Sequence, residues 1–332
     1  MYYNKNLVDK YLKELKKEVL SLYKNETIST LYIGGGTPSS LNKKQLLELF
    51  SITNIVKLSK NYEFTFECNI ENINEKLLIL LKQNKVNRIS IGVQSFNKDI
   101  LKILGRNYTY KIKNKINLVK KYFNNINIDL IYGINNENIE ILNNDLDNFL
   151  KLDIPHISIY SLILENNTIL KINNYQEIDE NLNNKMYYFI IKKLKENGYK
   201  QYEISNFSKK NYASKHNLTY WNNENYYGFG LGASGYIKTI RYTNTKSMTN
   251  YLNGNYVREK EIITNKINME NEMILGLRKT KGVSKKKFYN KYGVNIKEVF
   301  NVSKLKENKD YYYIPSKYLF ISNYILEDFI DI

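Results

Sequence analysis

The stretch 62-YEFTFECNIENINEKLLILLKQNKVNRISIGVQS-95 reads as strand, helix, strand. Residues 62–68 alternate apolar with polar, which is the period of a strand. The leucine-rich run 75–84 reads as a helix, and 87–93 is strand-like again. A parallel strand pair joined through a helix is the smallest unit of an α/β fold.

The same unit repeats in both directions. Upstream, Leu7, Tyr11, Leu12, Leu15, Val19 and Leu20 mark a helix over 7–23, Thr30–Ile33 a strand, and Leu46, Leu47, Leu49 and Ile52 a helix over about 43–58. Downstream come helices near 97–105 and 109–123, strand 126–132, helix 138–152, strand 156–163, helix 179–197 and strand 200–204. Strict alternation with short connections predicts a parallel sheet. The strands read as apolar on both faces, suiting helices on one side and a barrel interior on the other. A doubly wound open sheet is the alternative. The polar residues favour a barrel, because they fall at successive strand ends: Gly34–Thr37, then Glu67 and Asn69, Gln94 and Ser95, Asp129, Tyr160 and Ser161. From about residue 255 the texture changes. Helices near 269–279 and 284–291 and Tyr/Ile-rich stretches over 311–321 suggest a small winged-helix-like domain that packs or covers a substrate.

Composition narrows the function classes. No run of about 18 apolar residues is present, and charged residues interrupt positions 1–25, so neither a membrane span nor a signal peptide is expected and the location read is cytoplasmic. The net charge of +17 rests on 45 Lys against 5 Arg spread along the chain. That is a composition bias and not the clustered basic and aromatic footprint of nucleic-acid binding, so no nucleic-acid partner is expected. The lone Cys68 excludes an all-cysteine metal site within this sequence.

Against this Lys-, Asn- and Ile-rich background the exceptions carry the information. Gly34-Gly35-Gly36-Thr37-Pro38 follows a strand, where bare backbone can approach a ligand and aim N–H groups at an anion. Glu67, Gln94, Arg106 and Asp129 offer acceptors for an amine and for ribose hydroxyls, and one fixed cation for a carboxylate; helix caps or structural ion pairs are the alternative reading. His216-Asn217-Leu218-Thr219-Tyr220-Trp221 joins one of two histidines to the only Trp, a combination that suits heme, although a buried hydrogen-bonded histidine beside a core Trp is the ordinary case. The glycine-rich 227–236 that follows reads as a tight loop held close to a ligand or to the barrel rim.

IGGGTPSSL (33–41), Glu67-Cys68-Asn69, RISIGVQSFN (88–97), LGRN (104–107), IDLIYGI (128–134), PHISIYSLILE (155–165), QYEISNF (201–207) and HNLTYW (216–221) together resemble the oxygen-independent coproporphyrinogen III oxidase-like radical SAM family, and within it the heme-chaperone (HemW) group. The resemblance spans essentially the whole chain. It implies a partial (β/α)6 TIM-like barrel lacking its first strand, in three parts: a radical SAM core over 1–165, an extension with the HNxxYW motif over 166–255, and a C-terminal winged-helix-like domain over 256–332. It implies S-adenosylmethionine (SAM) contacts at Gly35, Gly36, Thr37, Glu67, Gln94, Arg106, Asp129 and Ser161. It implies heme binding with His216 as candidate iron ligand and Tyr220 and Trp221 lining the pocket. The partners implied are heme, heme-accepting apoproteins and, peripherally, membrane-bound heme proteins. Porphyrin biosynthesis by coproporphyrinogen III decarboxylation is the alternative activity, and a cluster-less heme-binding remnant a third.

The family carries a C-x3-C-x2-C loop for a [4Fe–4S] cluster after its first strand, and Met1-Tyr2-Tyr3 stands where that loop should just have ended. Radical chemistry is therefore expected to be absent from the chain as written and restored by a longer one. Smaller departures are Tyr108 and Ser234 at positions where the family has His, and Ile134-Asn135-Asn136 in place of Leu-Pro-Gly. The expected outcome of reading the DNA upstream of Met1 is an in-frame segment encoding three closely spaced cysteines; a stop codon directly before Met1 contradicts it.

Overall fold

The computed structural model describes residues 5–106, 111–164, 171 and 175–330. It begins α1 (Lys5–Leu22), β1 (Ile28–Ile33), α2 (Lys43–Thr53), β2 (Leu58–Asn69), α3 (Glu75–Gln83), β3 (Arg88–Gln94). It continues α4 (Lys98–Ile103), α5 (Ile112–Lys120), β4 (Ile126–Tyr132), α6 (Ile139–Lys151), β5 (His156–Ser161) and α7 (Glu180–Glu196). Strands β1 to β5 pair in sequence order, all parallel. This is the parallel α/β sheet expected from the alternation.

The asparagine bias has a structural use. Asn42, Asn74, Asn97 and Asn138 cap α2, α3, α4 and α6, each accepting a first-turn N–H through its side chain. Such a cap contributes about 1 kcal/mol. The helices are thus started by the residue type the composition supplies most freely.

Two expectations change. The stretch 200–204 is not a further parallel strand: β6 (Lys200–Gln201) and β7 (Asn206–Ser208) form a short hairpin, with β7 antiparallel to β5. The larger correction concerns the barrel strands, which are apolar on one face only. Parallel register aligns Thr65 with Arg88, Glu67 with Ser90, Ser90 with Asn127, and Asn127 with His156. Because side chains alternate across a strand, these residues share one face. The opposite face, with Phe64, Phe66, Ile89, Ile91, Ile128 and Ile157, is buried in the apolar core. The inner face is buried too, but it is held by hydrogen bonds. Asn127 donates to Ser90 and Asp129 (both 2.8 Å), and His156 bonds Asn127 (2.6 Å) and Tyr202 (2.8 Å). In a buried interior this pairing offsets the cost of taking the polar groups out of water.

Beyond the barrel, α8 (Lys215–Trp221) carries the HNxxYW residues, and β8 (Ser234–Ile237), β9 (Ile240–Asn244) and, after α9 (Met248–Leu252), β10 (Val257–Ile262) form an antiparallel sheet. The segment 257–262, read from sequence as the start of the C-terminal domain, thus pairs with the extension before it. The C-terminal unit comprises α10 (Asn265–Gly276), α11 (Lys285–Tyr292), α12 (Ile296–Val299), α13 (Ser322–Leu326) and a small sheet of β11 (Val283–Ser284), β12 (Lys306–Glu307) and β13 (Tyr311–Tyr313).

The glycine-rich loop is gripped by α1 and by the turn that leads into β1, where the Tyr227 hydroxyl donates to Glu26 (2.8 Å). Fully buried Glu18 of α1 accepts from Gly230 N–H (2.8 Å), Asn244 Nδ2 (2.6 Å) and Tyr251 Oη (2.5 Å). A Cβ on Gly235 would lie 2.2 Å from the Tyr242 ring. One carboxylate therefore joins α1, the loop, β9 and α9. Glu18→Ala removes the acceptor that three buried donors share and is expected to cost about 3 kcal/mol in urea unfolding; a change under about 1 kcal/mol contradicts this role for Glu18.

Candidate functional site

The carboxyl ends of β1 to β5 open on a cavity of about 400 Å³ lined by Tyr32, Glu67, Gln94, Asp129, Ile131, Tyr160, Ser161, Leu162 and Ile163. Open sheets and barrels bind ligands at this end of their parallel strands. Tyr32 donates to Glu67 Oε1 (2.6 Å) and Gly35 N–H to Oε2 (3.1 Å), which fixes the Glu67 carboxylate at the rim. The contact needs a bare Gly34, since a Cβ there would lie 2.4 Å from Glu67 Cδ. Asp129 accepts from Asn127 (2.8 Å) and Ser90 (3.2 Å), and burial raises its pKa above the ordinary carboxylate value. Gln94 reaches the cavity from a left-handed backbone, φ 70°, where the β3–β4 register slips. Burial pushes the Tyr160 phenol up to about 12 and raises that of Tyr32 further, so both stay protonated at neutral pH.

Four of the eight SAM-assigned residues therefore line one cavity: Glu67, Gln94, Asp129 and Ser161. Gly35 joins through its amide. Gly36 is exposed, and Thr37 turns its carbonyl to Ser40. Arg106 lies outside the lining and closes the end of α4 with its N–H on Leu101. Ser95 turns away and pairs with Asp145. Tyr108 lies outside the described residues. Asn136, at the family's glycine position, adopts φ 72°, a conformation Asn tolerates better than most residues. Sequence reading missed Tyr32. Its alternation with Thr30 on the inner face of β1 was the available signal.

The HNxxYW helix docks on that same inner face. His216 Nδ1 bonds Thr30 Oγ1 (3.0 Å), its Nε2 bonds Tyr220 Oη (2.9 Å), and its ring stacks on Tyr32 at 4.9 Å and 19°. Burial, then the charge of Arg88, lowers its pKa to about 4, so the imidazole is neutral. Tyr220 packs edge-on against Tyr226 at 4.6 Å, and both line a second cavity of about 270 Å³ with Tyr236, Arg241 and Asn271. Trp221 diverges from the histidine: its ring lies under the Arg278 guanidinium at 5.6 Å, and its buried Nε1 has no partner among the described residues. Ser234 is exposed and shares a hydrogen bond with Thr243.

Among the described residues no group of three or more His, Cys, Asp or Glu could hold a metal ion. Burial pushes the Cys68 thiol up to about 12, leaving it protonated. The described residues therefore supply no ligand set for an iron–sulfur cluster. No described helix is long and apolar enough to cross a membrane.

Comparison with known proteins agrees with this geometry. Residues 3–148 match the Radical SAM superfamily model, and residues 263–310 match the HemN C-terminal domain. The heme chaperone HemW of Lactococcus lactis is 38% identical over 97% of this chain and 90% of its own length. That of Bacillus subtilis is 37% identical over 88% and 82%. The structure of coproporphyrinogen III oxidase (HemN) from Escherichia coli superposes with a TM-score of 0.85 over 99% of this chain and 85% of its own, at 18% identity, which speaks for the fold alone. Radical SAM proteins as a family use SAM and a [4Fe–4S] cluster. This chain belongs to the coproporphyrinogen III oxidase-like radical SAM family, in its HemW group.

Proposed function

We propose that this protein carries heme as cargo for apoproteins, with His216 as the iron ligand, and takes SAM into the cavity at the strand ends. The observation that carries the heme reading is the state of the His216 ring. It is neutral, as an iron ligand must be, and Thr30 holds Nδ1 while Nε2 meets a single phenol, Tyr220. A second group on the distal nitrogen is how ligating histidines are commonly oriented. Heme would enter by displacing the Tyr220 hydroxyl from Nε2. The Tyr220–Tyr226 pair then offers flat surfaces toward the second cavity. A cytoplasmic site of action and hand-over to heme-accepting proteins, membrane-bound ones included, go with this reading.

For SAM, the support is chemical complementarity. Carboxylates at Glu67 and Asp129 suit an amine, ribose hydroxyls and a sulfonium charge; Gln94 and Ser161 add neutral donors and acceptors. SAM when bound with a reduced cluster supplies radical chemistry. What this chain's own residues do is bind and orient it. Coproporphyrinogen decarboxylation has only the fold likeness behind it.

Two measurements test these assignments. Hemin titration followed at the Soret band is expected to show saturable binding that falls at least about tenfold in His216→Ala, the loss typical of a removed metal contact. With a pKa of about 4 the ring does not compete for protons, so affinity at pH 6 should equal that at pH 8; an unperturbed histidine would lose about fourfold. Equal binding by wild type and mutant removes His216 from the account. For SAM, Gly34→Ala drives a Cβ into Glu67 and Tyr32, and is expected to abolish the thermal stabilisation that SAM gives the wild type. An unchanged shift contradicts the placement of SAM beside Glu67.

A further inference from the structure

The barrel's inner face holds one carboxylate that the SAM cavity does not use. Glu63 lies on β2, two and four residues before Thr65 and Glu67 and on the same face, and it is only 4% exposed. No cation lies within ion-pair distance of it among the described residues. Its partners are all at the start of α8. It accepts from Ser214 Oγ (3.3 Å), from Lys215 N–H (3.2 Å) and from His216 N–H (3.0 Å). A buried charge is costly unless it is hydrogen-bonded, and bonds to an ionised acceptor are about twice as strong as neutral ones. Glu63 is therefore held by the same amides that set where residue 216 begins.

The hold has one further support. The hydroxyl of Tyr202 accepts from Ser214 N–H (3.3 Å) and bonds His156 Nε2 (2.8 Å), tying the cap residue to the barrel's buried polar network. Ser214 in turn caps Asn217 N–H (3.2 Å). From this anchorage the His216 side chain reaches Thr30 on one strand and lies along Tyr32.

We infer that Glu63 is a positioning residue for His216: its carboxylate seats the first turn of α8 inside the barrel, so that the imidazole presents Nε2 to Tyr220 and keeps Nδ1 on Thr30. The inference rests on the reading of His216 as the heme ligand for its consequence, but its geometry can be tested without heme.

The test uses the full-length chain as wild type, Glu63→Gln and Glu63→Asp. Gln keeps the size but replaces one acceptor oxygen with an NH₂ that faces a donor; Asp keeps the charge but falls one methylene short. The two histidines are labelled with diethylpyrocarbonate and read by mass spectrometry. His156, fully buried, reports whether the barrel stays folded. Labelling of His216 is expected to rise at least about tenfold in Glu63→Gln and to rise less in Glu63→Asp, with His156 unchanged; hemin affinity should fall in the same order. Adding Glu63→Gln to His216→Ala should lower hemin binding no further. Acceleration at both histidines, or at neither, overturns the positioning role. Selective acceleration at His216 with hemin affinity unchanged in Glu63→Gln would leave the positioning intact and reject His216 as the ligand.

Discussion

The structure depends on a burial problem inside the barrel. Five parallel strands in register turn a continuous set of polar side chains inward, from Glu63 and Arg88 through Ser90, Asn127 and His156 to Glu67 and Asp129. An apolar filling would carry no such cost. A polar one is stable only if nearly every group is paired, because an orphaned buried donor or acceptor costs about 1–3 kcal/mol. Thr65 Oγ1 is left without a partner among the described residues; the rest of the pairing is met partly within the sheet and partly by importing α8, whose amides and histidine satisfy Glu63 and Thr30. The HNxxYW helix is accordingly a structural member of the barrel and not an appendage.

This arrangement gives the two candidate sites a common wall. Tyr32 donates its hydroxyl to Glu67 in the strand-end cavity and presents its ring to His216. Tyr220 then links His216 to the second cavity. Side chains distant in sequence meet because strand ends of a parallel sheet point the same way, and because a single residue on β1 can serve both neighbours. Glu18 does the equivalent work outside the barrel, where α1 fixes the glycine-rich loop that follows the HNxxYW helix.

Much of this was legible in the sequence, for physical reasons that differ by element. The run 126–132 reads as a strand from its place in the strand–helix alternation, and β4 spans the same residues. Glu67, Gln94, Asp129 and Ser161 could be brought together from the rule that such strands expose their carboxyl ends at one mouth. The polar inner face was hidden. Ser90 and Asn127 look like minor interruptions in Ile-rich strands, and only the register shows that they neighbour each other. The divergence of Trp221 from His216 was equally invisible, since it depends on α8 lying between the barrel and the C-terminal unit. The role of Glu63 could not be read from sequence either. Its partners stand about 150 residues away, and no local pattern announces a contact of that range.

His216 is enclosed by the barrel's inner face. The most direct measurement is an NMR titration of the His216 ring. Enclosure between Thr30, Tyr32 and Tyr220 predicts a midpoint at about 4. A midpoint near 6.5, the value of a solvated imidazole, would contradict it.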